Sequence, residues 1–267
     1  MIVGSTKEDL TSEKRVSLTP ETAKNIIGLG LKVCVEKNYA IHLGIEDKDY
    51  EKVGVEIKAS SNEVLNSSNA IIKVNCPSEN EINILKEDSI LIGMFNPSKN
   101  KVQISKIINK KIKIFSLELL PRITRAQSMD VLSSQSNLAG YRAVVDCIAE
   151  FEKAVPMMMT AAGTVPAAKV LVIGAGVAGL QAIATAKRLG AIVSATDVRE
   201  ASKEQVESLG GKFLTVKGAE NLETEGGYAK ETTDDFKKKQ EELLKETLKK
   251  IDIIICTALI PGKKAPV

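Results

Sequence analysis

Short apolar runs alternate with helix-like segments through the first half of the chain. Strands are predicted at residues 1–3, 32–36, 55–57, 70–74, 89–95 and 113–117. Helical segments lie between several of these runs, and the first begins with the capping hydroxyl of Thr19 and with Pro20, a favourable first helical residue. Strands that alternate with helices are typical of a parallel sheet. The first half is therefore predicted to be a Rossmann-like α/β domain.

The second half has a similar pattern. Residues 169–173 (KVLVI) indicate a buried strand, residues 180–189 have helical periodicity, and Gly190 stands where helices commonly end. Further strands are predicted at residues 212–216 and 251–256. Between them, residues 217–233 are interpreted as a long loop and the charged residues 234–250 as a solvated amphipathic helix. This half is predicted to be a second α/β domain of the Rossmann type.

A polar segment rich in Ser, Gln and Arg, residues 122–138, separates the two halves. It is interpreted as a functional loop, followed by helical periodicity over residues 138–154. The predicted organisation is a first domain, a connecting helix and a second domain at residues 1–137, 138–158 and 159–267. Because a complete doubly wound sheet has six strands, the second sheet is predicted to lack its last strands. We expect such a sheet to expose an edge, and the isolated chain to be poorly stable unless another polypeptide completes it.

The predicted strand at 169–173 runs into Gly174-x-Gly176-x-x-Gly179, a dinucleotide-binding pattern. Gly174 permits the tight turn, Gly176 lets the backbone approach a pyrophosphate, and Gly179 lets the following helix pack closely on the sheet. The start of that helix then faces the phosphates with free N–H groups and a partial positive charge. Spaced glycines alone are weak support, and a glycine-rich turn without a ligand is the alternative. The strand before them and the helix after them favour the nucleotide site.

Asp197 stands at the end of the next predicted strand, where a carboxylate can accept hydrogen bonds from the adenosine ribose hydroxyls. This favours NAD(H) over NADP(H), because a 2′-phosphate would face a like charge. Arg199 complicates the prediction, since an arginine near this point can bind a 2′-phosphate. With Asp197 present, Arg199 is interpreted as an adenosine or phosphate neighbour, with surface ion pairing as the alternative. The cofactor predicted for this chain is NAD(H).

Composition narrows the remaining classes of function. The chain has 267 residues and a net charge of +3, which gives little reason to expect nucleic acid or an anionic membrane surface as a partner. Its apolar runs are too short to span a bilayer, so no direct membrane insertion is predicted. The four cysteines have no metal-like spacing, which predicts reduced thiols and no metal site.

Three segments carry a resemblance to a known family: residues 121–143 (PRITRAQSMDVLSSQSNLAGYRA), 174–179 (GAGVAG) and 257–262 (TALIPG). They resemble the alpha subunit of proton-translocating NAD(P) transhydrogenase, in its NAD(H)-binding domain I, and the resemblance covers essentially the whole chain. It implies direct hydride transfer between NAD(H) on this chain and NADP(H) on a separate partner domain. It also implies a membrane domain for proton passage, a homodimer, and a cytoplasmic location at the inner (plasma) membrane through partner subunits.

The same resemblance assigns roles to individual residues. The family's nucleotide loop matches Arg122, Ile123, Thr124, Gln127, Asp130 and Ser133. Of these, Arg122, Gln127, Asp130 and Ser133 are assigned to the hydride-transfer step, in which Gln127 places the nicotinamide ring against the second nicotinamide. Further NAD(H) contacts match Gly174, Ala175, Gly176, Val177, Gly179, Asp197, Val198, Arg199, Gly227, Tyr228, Gln240 and Leu259. Tyr228 and Gln240 could equally be ordinary surface residues.

Two other functions stay open from the sequence. Alanine dehydrogenases are similar, but they use a histidine after the strand that matches residues 90–95, where this chain has Asn96, and its single histidine is His42. Arg15 and Lys73 do lie where the dehydrogenase's substrate-binding arginine and lysine would fall. Direct hydride transfer needs orientation and no protein acid or base, which favours the transhydrogenase. The remaining hypothesis is a non-catalytic nucleotide-binding remnant or interaction module.

Overall fold

The chain forms two compact units, residues 1–130 and residues 131–267. The structure, a computed structural model, describes residues 1–121, 123–199, 201–216 and 234–258, and for residues 234–237 it describes the backbone. The predicted division into two domains and a connecting helix, with its boundaries, stays a prediction.

A parallel sheet forms the centre of the first unit. Its strands are β1 (Ile2–Ser5), β2 (Lys32–Glu36), β3 (Glu56–Lys58), β4 (Ala70–Ile72), β5 (Ile90–Gly93) and β6 (Lys113–Ser116). Their order across the sheet is β3-β2-β1-β4-β5-β6, and every neighbouring pair is parallel. This is the strand order of a doubly wound Rossmann sheet. The predicted Rossmann-like α/β fold is therefore confirmed for this unit.

Helices connect these strands. The α-helices are α1 (Pro20–Gly28), α2 (Asp47–Glu51), α3 (Ser61–Ser67), α4 (Glu79–Ile84) and α5 (Lys101–Asn109), and short 3-10 helices lie at Ile41–Leu43, Leu117–Leu119 and Thr124–Met129. The start predicted for α1 is confirmed, because the Thr19 hydroxyl accepts the N–H of Thr22 at 3.3 Å and Pro20 is the first helical residue. Such a cap satisfies an N–H group that has no partner within the helix.

The core of the first unit lies on both faces of its sheet. Val33 and Val35 of β2 pack in one apolar cluster, whereas Cys34 between them packs in another. Successive side chains of a strand point to opposite faces, so the two clusters lie on opposite sides of the sheet. A sheet buried on both faces needs continuous apolar strands, which matches the runs seen in the sequence.

A smaller parallel sheet forms the centre of the second unit. The strands of this unit are β7 (Met158–Thr160), β8 (Gly163–Val165), β9 (Lys169–Ile173), β10 (Ile192–Thr196), β11 (Lys212–Phe213) and β12 (Ile253–Cys256). Among the described residues, the parallel sheet has the order β11-β10-β9-β12. This order corresponds to strands 3-2-1-4 of a Rossmann fold. β7 and β8 instead form a separate antiparallel hairpin, which the sequence pattern did not predict.

The helices of the second unit include one that differs from its prediction. They are α6 (Val131–Glu150), α7 (Val177–Arg188), α8 (Ser202–Ser208) and α9 (Asp234–Leu248). The helix predicted from residue 138 begins earlier, at Val131, so part of the polar segment 122–138 is helical and not a loop. Ser and Asn cost less than about 0.7 kcal/mol each in a helix, and α6 is also stabilised by packing on α7. Gly190 has a φ of +88° after α7, as expected for a glycine that ends a helix.

Candidate functional site

A tight turn joins β9 to α7 at the carboxyl edge of the second sheet. Gly174 has a φ of +96°, a conformation that favours glycine. Its N–H donates to the carbonyl oxygen of Thr196 at the end of β10, at 2.8 Å. A side chain at Gly174 would come within 2.8 Å of the backbone nitrogen of Ala258. The first glycine therefore has the conformational role that the sequence predicts for it.

The other two glycines of the turn differ in the space around them. A Cβ at Gly179 would collide with the carbonyl oxygen of Gly174, so α7 can approach the turn this closely only with glycine there. At Gly176 the nearest atom within 4 Å is Nη2 of Arg199, at 4.0 Å. Gly176 is also the N-cap of α7. It therefore has no side chain to cap the first-turn N–H groups, which leave the positive end of the helix dipole open to an anion.

Asp197 follows β10 and faces this turn. Its Oδ2 accepts the N–H of Ala175 at 2.7 Å, and its two carboxylate oxygens also accept the backbone N–H, Nε and Nη2 of Arg199, each at 2.9 Å. The Asp197 side chain is 8% exposed and that of Arg199 is 21% exposed. The structure thus brings the glycine turn, Asp197 and Arg199 together, as the sequence predicts.

The environment of Asp197 keeps it charged. Burial by itself would raise the pKa of Asp197, but the side chain of Arg199 and the N–H groups of Arg199 and Ala175 hold that pKa below the ordinary aspartate value. A lowered folded-state pKa stabilises the fold above about pH 4 and loses this contribution as the pH falls further. The carboxylate is therefore an ionised acceptor at neutral pH.

Two residues without a predicted structural role support the turn. Thr257, directly after β12, donates its hydroxyl to the carbonyl oxygen of Gly174 at 2.7 Å and its N–H to that of Ile173 at 2.8 Å. Gly140 of α6 faces the carbonyl oxygen of Ala178, and a Cβ at Gly140 would collide with that oxygen. The sequence offered a signal for Gly140, since a glycine inside a helix usually has a packing reason. Thr257 lies in the segment 257–262 that carries the family resemblance, but that segment gave no sign of its contact with Gly174.

The predicted nicotinamide loop lies largely in the first unit. Thr124 and Gln127 are exposed residues of the 3-10 helix Thr124–Met129. Ile123 precedes that helix and is 54% exposed, and Asp130 follows it and is half-buried. The exposed side chains of Thr124 and Gln127 are accessible to a ligand, and their nucleotide roles stay predictions.

The other predicted contacts lie in the second unit. Ser133 is half-buried in the first turn of α6, and Gln240 is half-buried in α9. Val177 opens α7 and is 41% exposed, and Val198 lies between Asp197 and Arg199. Four predicted site residues lie outside the described residues: Arg122, Gly227, Tyr228 and Leu259.

The two cations that a dehydrogenase-like site would use, Lys73 and Arg15, lie in the first unit, where Lys73 is buried and Arg15 is exposed. Lys73 donates to Glu81 at 2.7 Å and to the hydroxyl of Thr6 at 3.1 Å, and its side chain is 4% exposed. Arg15 pairs with Glu13 at 2.6 Å. Both cations thus have carboxylate partners within the chain, so their charges are already compensated.

Other kinds of site find little support in the described part of the chain. None of its His, Cys, Asp and Glu side chains form a group of three or more that could hold a metal ion. Within residues 1–121, 123–199, 201–216 and 234–258, no helix has the length and apolar character needed to cross a membrane. All four cysteines are free thiols, with Cys34 buried and Cys256 exposed.

Comparisons with known proteins place this geometry in context. The family model "Alanine dehydrogenase/PNT, N-terminal domain" matches residues 4–139, and "Alanine dehydrogenase/PNT, C-terminal domain" matches residues 143–267. The chain is 50% identical over 274 aligned residues to the first of the separate parts of NAD(P) transhydrogenase subunit alpha in Rhodospirillum rubrum, with 100% of this chain and 71% of the relative covered. It is 43% identical over 266 residues to NAD(P) transhydrogenase subunit alpha of Haemophilus influenzae, with 100% of this chain and 52% of the relative covered.

Solved structures give the same picture. The crystal structure of transhydrogenase from Sinorhizobium meliloti superposes with a TM-score of 0.87 at 46% identity, covering 100% of this chain and 72% of that one. An L-alanine dehydrogenase superposes with a TM-score of 0.79 at 22% identity, covering 100% of this chain and 68% of that one. The second likeness shows a shared fold.

Proposed function

The chain belongs to the alanine dehydrogenase/PNT family, with the NAD(P) transhydrogenase alpha subunits, and from this membership we propose that it is the NAD(H)-binding component of such an enzyme. The glycine turn at the carboxyl edge of the second sheet, with Asp197 beside it, is the observation that carries the proposal. Ligands of open α/β sheets bind outside the carboxyl ends of the strands.

The residues of this turn fit a dinucleotide. Gly176 leaves open the space that a pyrophosphate would need, and the start of α7 directs uncapped N–H groups toward it. Asp197 supplies an ionised acceptor for ribose hydroxyls. We assign the remaining contacts to Ala175, Val177, Gly179, Val198, Arg199, Gly227, Tyr228, Gln240 and Leu259.

The proposed reaction is direct hydride transfer to NADP+ held on a separate domain. When bound, NADH supplies a hydride with its electron pair, so that NAD+ and NADPH result. In this proposal Gln127 orients the nicotinamide ring. It acts together with Arg122, Asp130 and Ser133, and the neighbouring Ile123 and Thr124 also contact the nucleotide. The transfer needs no protein acid or base. Coupling to proton passage through a membrane domain, a homodimeric state and attachment to the membrane through partners belong to the same proposal.

An alanine dehydrogenase-like activity is less well supported. That reaction needs a group that takes a proton from the substrate. In the loop after β5, this chain has Asn96 where alanine dehydrogenases use a histidine. The backbone N–H of Asn96 donates to the carboxylate of Glu118. His42 is exposed and contacts the carbonyl oxygen of Lys14 at 2.8 Å. We therefore expect no pyruvate- and ammonia-dependent oxidation of NADH.

Fluorescence titration with NADH and with NADPH tests the proposed function. We expect selective NADH binding, and NADH oxidation only when an NADP(H)-binding partner domain with bound NADP+ is added. A folded sample that binds neither nucleotide would contradict the proposal. Pyruvate-dependent turnover without a partner would instead support the dehydrogenase.

Gln127→Ala should spare NADH binding and slow hydride transfer in the reconstituted complex by at least about tenfold, because misplaced reacting groups lose the advantage of orientation. Stopped-flow absorbance of NADH measures the transfer rate. Gln103→Ala, the same change on α5 of the first unit, is the matched control and should leave the rate unchanged. An unchanged transfer rate in the Gln127 variant would remove the role assigned to this residue.

A further inference from the structure

The Asp197 carboxylate has little acceptor capacity left. It accepts four hydrogen bonds, three of them from Arg199 and one from the N–H of Ala175. A carboxylate has about four lone-pair sites. A ribose diol can therefore gain hydrogen bonds from Asp197 only if the guanidinium of Arg199 gives up its own.

The guanidinium also reaches the second glycine of the turn. Its Nη2 lies 4.0 Å from the position of a Cβ on Gly176, and it donates to Asp197 at 2.9 Å. If the turn binds a dinucleotide, the ribose lies at Asp197 and the pyrophosphate approaches Gly176. Arg199 thus spans the two places that these groups would take.

The same ion pair bears on the choice between NAD(H) and NADP(H). An arginine at this edge can bind a 2′-phosphate with two parallel hydrogen bonds. In this chain the Nε and Nη2 donors that would do so are held by Asp197. A 2′-phosphate that displaced them would meet the bare carboxylate, whereas a ribose diol would donate hydrogen bonds to it.

We propose that Arg199 is a masked 2′-phosphate-binding residue and that Asp197 selects NAD(H) by sequestering it as well as by accepting the ribose hydroxyls. This inference rests on the proposed function of the turn. We call this arrangement a latch: Arg199 occupies acceptor sites of the Asp197 carboxylate until a ribose diol displaces its guanidinium. Removing the carboxylate exposes a phosphate site that the unsubstituted chain already contains.

Asp197→Asn tests the masking with little change in shape. The amide oxygen can still accept the N–H of Ala175, but the amide group carries no charge to hold the guanidinium. We expect NADH affinity to fall and NADPH affinity to rise, each by about tenfold or more, as loss or gain of one charged hydrogen bond implies. The double variant with Arg199→Ala should lose the gain for NADPH. Binding is measured by fluorescence titration, and 2′,5′-ADP against 5′-AMP isolates the contribution of the 2′-phosphate.

The matched control is Asp252→Asn. Asp252 also accepts a backbone N–H, from Lys169 at 2.9 Å, but at the amino ends of the strands. It should leave both nucleotide affinities unchanged. The proposal is overturned if Asp197→Asn gains nothing for NADPH, or if the double variant keeps the gain. Failure of the proposed function is a different result, since the unsubstituted chain would then bind no NADH.

Arg199→Ala alone gives an independent readout should Asp197→Asn fail to fold. With the latch removed, a ribose diol no longer has to displace the guanidinium. Because NADH then no longer has to wait for the guanidinium to leave the carboxylate, we expect it to associate faster with this variant than with the unsubstituted chain in stopped-flow measurements. An association rate that is unchanged or slower would overturn the latch. Arg188→Ala, in the last turn of α7, controls for the loss of one positive charge.

Discussion

Replacing Gly179 by Ala should abolish NADH binding and destabilise the second unit. The added Cβ would collide with the carbonyl oxygen of Gly174, and backbone atoms cannot move aside as a flexible side chain can. Overpacking of this kind costs about 1–3 kcal/mol, occasionally more. Relief of the clash would also shift the start of α7 and the N–H groups that we propose to bind the nucleotide. Thermal unfolding and NADH titration of the same sample measure the two effects.

Gly176→Ala is the matched control, because it makes the same change at the neighbouring glycine of the turn. The Cβ there would meet no atom closer than Nη2 of Arg199, at 4.0 Å, so we expect the unfolding temperature to stay the same. The methyl group would nevertheless occupy the face that the pyrophosphate approaches, and NADH binding should weaken. If Gly179→Ala unfolds like the unsubstituted chain and still binds NADH, the geometry assigned to the turn is wrong.

Replacing Gly140 by Ala should destabilise the contact between α6 and α7. Alanine favours a helix over glycine by about 0.5–1 kcal/mol, so helix propensity alone predicts a more stable protein. The clash of the new Cβ with the carbonyl oxygen of Ala178 opposes this gain. We expect the clash to dominate, with a net loss of about 1–3 kcal/mol in the free energy of unfolding. Denaturant unfolding followed by circular dichroism measures the difference.

The last residue of α1 offers the control for this prediction. A Cβ at Gly28 would have no atom within 4 Å, so Gly28→Ala should be neutral or stabilising by up to about 1 kcal/mol. Equal effects of the two substitutions would mean that α6 does not need a glycine to pack on α7. A loss of stability at Gly140 alone would show that close backbone contact holds the first turn of α7 in place.

These glycines belong to one arrangement around Gly174. Its N–H is bound by Thr196 from β10, and its carbonyl oxygen by Thr257 after β12. Gly140 brings α6 against the first turn of α7. The turn is thus supported from three elements that are distant in the chain. This support explains how a glycine-rich segment can keep its N–H groups aimed at one place.

Local patterns predicted the strands and helices well where the signal was short-range. Apolar runs located β2 and β9 at their observed bounds, and Thr19 with Pro20 located the start of α1. The roles of Gly174 and Gly179 also followed from their spacing, because both depend on the strand and helix directly beside them. Polarity misled the prediction for α6, since the Ser and Asn residues of its first turns form a helix that packing stabilises.

By itself, the sequence determined the two α/β sheets and the position of the glycine turn, because these depend on periodicity and on neighbours within a few residues, and the resemblance of residues 121–143, 174–179 and 257–262 indicated the family. Only the tertiary structure decided that Arg199 forms an ion pair with Asp197, that Gly140 faces Ala178 and that Thr257 donates a hydrogen bond to Gly174. The residues of the last two contacts are distant in the chain, and no local pattern records which atoms meet. For Arg199, the sequence allowed both a phosphate neighbour and an ion pair, and the choice depends on side-chain conformation, which is set by packing and electrostatics in three dimensions.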